Sequence, residues 1–263
     1  MPRLFIFGLG YTARRFAQEM RAHGWQVDAT GSAGNIAFDD HEAVEKALGK
    51  ASHVLSSVPP DRDTGADPVL DGYGKALSDR WLGYLSSTGV YGDAAGAWVD
   101  ESSPTGGGRR TARSEADASW LDLGARVFRL PGIYGPGRSI FERLEAGKAH
   151  RIDLPGQVFS RVHVDDIVGG LVAAVENDAP AGAYNLSDDL PTSQNAVVEE
   201  ATRLMGVAPP PLQSLEEADL SPMARGFYAE NRRVANGKAK RVLGWEPRYP
   251  TYRDGLAAIK ARA

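Results

Sequence analysis

Six residues near the start of the chain, Gly8-Leu9-Gly10-Tyr11-Thr12-Ala13, have the types and spacing needed to hold a pyrophosphate. Gly8 permits a tight turn and Gly10 lets the backbone come close to an anion. The small Ala13 lets a following helix pack on its strand while the first N–H groups of that helix point at the charge. Such a turn works only if a strand feeds it and a helix leaves it. Leu4-Phe5-Ile6-Phe7 supplies the strand, an amphipathic stretch ending at Gly24 supplies the helix, and a second strand-like run covers Trp25 to Thr30. A dinucleotide is the guest this arrangement predicts, with Tyr11 and Thr12 opening the helix beside it.

In NAD-binding turns, an acid that meets the ribose 2′-hydroxyl closes the second strand, about eighteen residues past the fingerprint. Gly31 stands at that place. Without a carboxylate there a 2′-phosphate is not repelled, and Ser32 or Arg14 could contact it, so NAD and NADP both remain open.

The elements that must carry this turn alternate along the chain. Asp39 and Asp40 precede Ala43 to Leu48 and Gly49, which reads as a capped helix. Val54 to Val58 is a short strand stopped by Pro59-Pro60, a helix is expected around Val69 to Ser78, and Trp81 to Leu85 is a strand ending in Ser86-Ser87-Thr88-Gly89-Val90-Tyr91-Gly92. Val127 to Leu130 is the next strand, and it runs into Pro131-Gly132-Ile133-Tyr134-Gly135-Pro136-Gly137. This βα alternation predicts an α/β protein with a Rossmann-type, doubly wound parallel sheet whose ligands lie at the carboxyl ends of the strands. Val58, Pro59, Ser86 and Pro131 sit at such ends and join the candidate cofactor contacts. Ser102 to Gly108 reads as a loop.

Composition narrows the function. The 263 residues, 42% of them hydrophobic, can bury a good core, and the absence of cysteine excludes disulfides, thiolate nucleophiles and cysteine-ligated metals. A cysteine-free chain with no run of eighteen apolar residues and no leader-like start is expected to be cytoplasmic and without a membrane contact. The five histidines, at 23, 41, 53, 150 and 163, have no metal-type spacing, and no metal is expected. A net charge of −4 argues against nucleic acid as a partner, although ten lysines and arginines against three acids follow from Arg225 onward. That basic end could grip a substrate phosphate, or Arg232, Arg233, Lys238, Lys240 and Arg241 could simply decorate a solvated helix.

Five motifs in order carry a resemblance: the glycine turn, Leu85-Ser-Ser-Thr-Gly-Val-Tyr-Gly92, Arg129-Leu-Pro-Gly-Ile-Tyr-Gly-Pro-Gly-Arg138, Val162-His-Val-Asp-Asp-Ile167 and Tyr184-Asn-Leu-Ser187. Together with Ala239-Lys-Arg-Val-Leu-Gly-Trp-Glu-Pro-Arg-Tyr-Pro250, they resemble extended short-chain dehydrogenases/reductases of the NAD-dependent epimerase/dehydratase type over nearly the whole chain. The resemblance implies a nicotinamide cofactor on a Rossmann lobe formed by 1–130 plus 160–187. It also implies a small substrate-covering lobe formed by 131–159 plus 188–263. Ser87 takes the place of the family's catalytic serine or threonine, Pro131 lies beside the nicotinamide, and Asp39 approaches the adenine amino group or caps the helix that follows it. Arg138, Arg161 and His163 flank the family's substrate loops, and a guanidinium suits an anionic group there. Asp165 or Asp166 is expected to cap the helix running to Val175.

One departure stands out. The family carries Tyr-x-x-x-Lys some twenty residues past that serine, the lysine lowering the phenol's pKa so that it can move a proton. The corresponding place here reads Thr111-Ala112-Arg113-Ser114-Glu115, and Tyr91 or Tyr134 would have to stand in. Two functions are left open. One is an NAD(P)-dependent oxidoreductase or epimerase for a small polar, nucleotide-sugar-like substrate. The other is a non-catalytic NAD(P)-responsive regulator or interaction module. Family members often pair through helices flanking the sheet, which leaves a homodimer open as well.

Overall fold

Four apolar residues in a row can all be buried only where a strand has a layer on each side. β1 (Arg3–Phe7) has both: Leu4 and Ile6 face a core shared with Phe16 and Met20 of α1 (Tyr11–Ala22), while Phe5 and Phe7 face a second core with Val44 and Leu48 of a later helix. The computed structural model describes residues 1–108 and 111–262. After α1 come β2 (Gln26–Ala29), α2 (His41–Leu48), β3 (His53–Ser56), α3 (Pro68–Tyr73), β4 (Trp81–Ser87), β5 (Trp98–Val99), α4 (Thr111–Asp122) and β6 (Arg126–Leu130). β7 (Gly132–Tyr134), α5 (Ile140–Glu145), β8 (Arg151–Ile152), β9 (Arg161–His163), α6 (Val164–Glu176) and β10 (Gly182–Asn185) follow. The chain ends in α7 (Gln194–Met205), β11 (Leu212–Gln213), α8 (Pro222–Phe227), β12 (Arg233–Val234), α9 (Gly237–Leu243) and α10 (Tyr252–Ala261).

The main sheet is the expected α/β architecture: six parallel strands in the order β2-β1-β3-β4-β6-β10. The chain goes from β1 to one neighbour, β2, and returns to the other, β3, so the crevice of the switch point opens at the carboxyl end of β1. Three two-stranded parallel pairs, β7 with β9, β5 with β12 and β8 with β11, lie outside this sheet. A separate apolar cluster joins Tyr134, Ile140, Phe141, Val197, Val198, Tyr252, Leu256 and Ile259, from β7, α5, α7 and α10.

Local chemistry moves some boundaries. The helix expected over Val69 to Ser78 stops at Tyr73 and continues only as a single 3₁₀ turn, because Gly72 and Gly74 remove helix propensity there. Asp40, not Asp39, caps α2, accepting from the Ala43 N–H at 3.1 Å. The cap of α6 is neither Asp165 nor Asp166. The helix begins at Val164, and the His163 ring accepts from the Asp165 N–H through Nδ1 at 3.2 Å. Asp166 is thereby freed to accept from the N–H groups of Arg248 at 2.6 Å and Tyr249 at 3.2 Å, which ties the C-terminal segment to the helix.

The deepest polar feature runs beneath the end of β4. Arg129 of β6 grips Asp117 of α4 through two bonds, Nη2 to Oδ1 at 2.7 Å and Nε to Oδ2 at 3.1 Å, with side chains only 4% and 2% exposed. Ser86 Oγ donates to the same carboxylate at 2.6 Å. Arg129 Nη1 donates to Tyr91 Oη at 3.0 Å, Tyr91 donates to Asn185 Oδ1 at 2.8 Å, and Asn185 Nδ2 donates to Ala235 O at 3.1 Å. Replacing one partner of a buried ion pair strands the other, so Asp117→Ala is expected to cost about 3–5 kcal/mol of folding stability. Urea unfolding would read this, and a loss of less than about 1 kcal/mol would show that Arg129 finds other partners.

Candidate functional site

The carboxyl edge of the sheet gathers the glycine turn, the end of β2 and the end of β4. Gly8 has φ +81°, and a Cβ on it would come within 3.0 Å of Ser57 Oγ and Val58 Cγ2, so the turn needs glycine for both conformation and space. Ser57 Oγ donates to Gly8 O, while Thr30 receives the Gly8 N–H on Oγ1 at 3.1 Å and the Leu9 N–H on its carbonyl at 2.9 Å. Gly10 begins α1 with no side chain capping the first turn, which leaves that end to an anion. Gly31 sits at φ +104°, with a Cβ there only 3.0 Å from Leu9 N. The missing acid at 31 therefore has a backbone reason: no side chain fits where the end of β2 closes on the glycine turn. Ser32 beside it is exposed, as are Asp39 and Pro59.

Tyr11 links this turn to the loop after β6. Its hydroxyl donates to Pro136 O at 3.0 Å, Arg15 stacks over its ring at 4.0 Å, and the Arg138 guanidinium lies 5.6 Å from the ring centre on the exposed surface. A Cβ on Gly135 would come 2.7 Å from that hydroxyl, so the loop must pass with bare backbone. Ser87 and Leu130 are register partners across β4 and β6, which brings Pro131 next to the Ser87 strand end. Gly31, Gly8, Val58, Ser87 and Pro131 thus end five adjacent strands, a row spanning about 19 Å at the usual strand spacing.

Ser87 is half-buried, and its Oγ accepts from the Gly89 N–H at 3.1 Å, capping the short turn Thr88–Tyr91. On one side that turn meets bare backbone: a Cβ on Gly92 would collide with Gly107 O, and one on Gly108 with Gly89 O. Both tyrosines are buried. Tyr91 is 6% exposed and gives its one proton to Asn185, and burial raises its pKa. The Tyr134 hydroxyl is buried without a hydrogen-bond partner, with its ring against Gly255 of α10 and its pKa raised by burial. Ser86, also buried, is held by Asp117.

Of the three residues expected to meet substrate, Arg138 alone is exposed. Arg161 is 8% exposed and donates to Phe159 O and Thr192 O, both at 2.9 Å, and to Gln194 Oε1 at 3.0 Å. Burial pulls its pKa down to about 10, and burial pushes that of its neighbour Asp188 up to about 8. His163 is 1% exposed, its Nε2 has no partner, and burial lowers its pKa to about 4. Among the described residues no group of three or more His, Cys, Asp or Glu is placed to hold a metal ion, and no helix is long and apolar enough to cross a membrane.

Two cations take places that differ from those expected, Arg113 beneath β4 and Arg232 beside the Ser87 turn. Thr111 and Glu115, where the tyrosine and lysine were expected, lie on the exposed face of α4. Burial of Asp117 and Trp120 turns Arg113 toward the sheet instead, and it donates to Tyr84 Oη at 2.9 Å. Helical phasing from Trp120 back through Asp117 was the available signal. Arg232 is not on a helix but immediately before β12, where Asn231 fixes the chain: the Asn231 N–H donates to Asp93 at 2.8 Å and its amide to Gly156 O at 3.0 Å. Nothing in the local pattern of Glu230-Asn231-Arg232-Arg233 announces that position.

The buried His163 makes the fold acid-sensitive in a defined window. Its folded pKa lies below the unfolded value of about 6.5, so neutral His163 contributes stability that is complete above that pH and lost as pH falls toward 4. Asp188, with a pKa raised to about 8, acts with the opposite sign throughout that range, so the informative quantity is a difference between proteins. His163→Asn keeps a side-chain acceptor at the cap without the titration. Its stability, measured by denaturant melts from pH 7 to 4, is expected to fall less steeply than that of the parent, and parallel slopes would count against a neutral His163.

No protein-family model matches the chain. Among curated proteins, 3-diazoavenalumate denitrifying reductase from a Streptomyces species is 35% identical over 182 residues, 64% of this chain, and the chain spans only 58% of that protein's length. Among solved structures, the human epimerase family protein SDR39U1 (isoform 2), solved with NADPH, superposes with a TM-score of 0.80 over 99% of this chain and all of its own, at 15% identity, which shows the shared fold. A conserved protein of unknown function from Silicibacter pomeroyi DSS is 40% identical and superposes with a TM-score of 0.89, covering 100% of this chain and 99% of its own. With that identity sustained over both full lengths, the chain belongs to the family of the Silicibacter pomeroyi protein, on the Rossmann-type fold of the epimerase-family proteins.

Proposed function

We propose that this protein is an NAD(P)H-dependent reductase of a small polar substrate, with NADPH the preferred cofactor. The observation that carries the reading is the uncapped first turn of α1 above Gly8, on the same sheet edge as Ser87. The amides at the start of α1 would hold the pyrophosphate, with Tyr11 and Thr12 beside it and Val58 and Pro59 along the crevice wall. Gly31 excludes the carboxylate that would repel a 2′-phosphate, and Ser32 is exposed to receive one. Structural neighbours are solved with either cofactor, the human protein with NADPH and three others with NAD, so the preference rests on Gly31 and Ser32. When bound, the nicotinamide supplies a hydride; Ser87, whose lone pair is used by Gly89, has its O–H left to donate to the substrate.

Reduction fits these residues better than epimerisation. A phenolic base is hard to find when Tyr91 is committed to Asn185 and Tyr134 is closed in under α10, whereas a reductase needs a donor and positive charge at the acceptor group. Arg232 supplies a guanidinium beside the Ser87 turn. The Streptomyces relative is likewise named a reductase. The commitment of both tyrosines also supports a second reading, a cofactor-responsive protein without turnover.

A titration of the purified protein with NAD, NADH, NADP and NADPH, followed by fluorescence or heat, tests the proposal. Micromolar binding of NADPH is expected, and Ser32→Asp should weaken NADPH about tenfold relative to NADH. Ser87→Ala should leave cofactor affinity unchanged and abolish most turnover of any substrate found. Failure of all four nucleotides to bind would overturn the reading, and tight NADPH binding with no reduction of any carbonyl compound tried would favour the second one.

A further inference from the structure

The turn after Ser87 has a definite chemical character at Gly89. At Gly89, where other residues carry a Cβ, that atom would lie 3.3 Å from Ser87 Oγ and 4.0 Å from Arg232 Nη2. The absent side chain therefore leaves a space walled on one side by the serine hydroxyl and on the other by a guanidinium nitrogen from the C-terminal segment. Both groups are donors there. Ser87 Oγ already accepts from the Gly89 N–H, which leaves its own proton to give. Arg232 uses Nη1 for Gly92 O at 2.6 Å and for Glu230 at 2.8 Å, while Nη2 has no partner among the described residues.

The guanidinium is also preorganised. Its side chain is 15% exposed, one edge is pinned to the Ser87 turn itself through Gly92 O, and the preceding Asn231 is fixed to two separate loops. An arginine held this way loses little freedom on binding and presents a planar donor edge suited to an oxygen. Two donors with no acceptor between them select a ligand atom that only accepts.

Resting on the reductase reading above, we propose that Ser87 Oγ and Arg232 Nη2 form a two-donor seat for a trigonal oxygen of the substrate, a carboxylate or carbonyl oxygen, placed over Gly89. The seat fixes that oxygen beside the strand end where the nicotinamide is expected, and Arg232 is the residue that selects for it. Because Glu230 sits on the other edge of the guanidinium, the seat offers hydrogen bonds as well as charge, and acids and neutral carbonyl compounds are both candidates to fill it.

Matched acids and amides separate these sources. The probes are acetate, pyruvate and benzoate, with acetamide, pyruvamide and benzamide, titrated into the protein with and without NADPH. At least one member is expected to bind, and Arg232→Gln to weaken it about 10- to 100-fold, the usual loss for a hydrogen bond to a charged group. NADPH affinity should stay within about twofold, since Arg232 is outside the glycine turn. Gly89→Ala serves as a second variant because it fills the space without touching the bonds of Arg232, and its backbone φ lies outside the left-handed region. It should weaken the same probe to a similar extent. A preference for acids identifies a carboxylate, and equal binding of acid and amide identifies a carbonyl.

Binding that neither variant weakens, or no binding by any probe while NADPH binds, overturns the seat. If NADPH fails to bind but a probe binds in an Arg232-dependent way, the seat stands and the cofactor reading falls.

Discussion

A carboxylate and a guanidinium removed from water must be satisfied on every side or the fold is lost, and Asp117 with Arg129 sets this requirement at the centre of the molecule. The pair joins α4 to β6, takes in Ser86 at the end of β4, and hands its remaining bonds through Tyr91 and Asn185 to the carbonyl of Ala235 near the C-terminus. Each element that brings a group to the Ser87 end is therefore tied into one network. The phasing of α4 follows from it, since Asp117 can reach Arg129 only if Arg113 and Trp120 turn inward with it.

The C-terminal segment is held in the same manner, by single side chains that staple distant backbone. Asn231 holds loops near 94 and 156, Ser160 Oγ accepts from the Val234 N–H, and Ser187 Oγ donates to Val234 O. Asp166 takes two N–H groups at Arg248 and Tyr249. These bonds hold a stretch with little regular structure of its own in place over the sheet edge. They also explain how a residue far along the chain, Arg232, comes to share a space with Ser87.

The sheet was legible because its strands are short apolar runs closed by Gly, Pro or Ser, and because Leu4 to Phe7 can be buried only between two layers. The glycine turn was legible for the same reason a pyrophosphate would need it: spacing and smallness are visible in residue types. Less could be read where side chains replace backbone patterns. His163 caps α6 although imidazole is an unusual cap, and the two aspartates that look like caps serve other partners or none at that position. Gly31 read as the lack of an acid, when the close approach of Leu9 leaves no room for any side chain. Tyr91, Arg161 and His163 have the chemistry expected of a site, yet each is buried with bonds to its own fold. Only tertiary packing distinguishes such residues from groups that face a ligand.

The contact between the Ser87 turn and the loop at Gly106 to Gly108 is made of backbone against backbone, with Gly89, Gly92, Gly107 and Gly108 as the touching residues. A surface of this kind cannot drift by substitution, because any side chain on Gly92 or Gly108 would drive the loop off. Diversification among relatives of this chain, or a laboratory effort to change what it accepts, is thereby channelled to the opposite wall, where the segment around Arg232 carries full side chains and is held by its staples and the short pairing of β12 with β5.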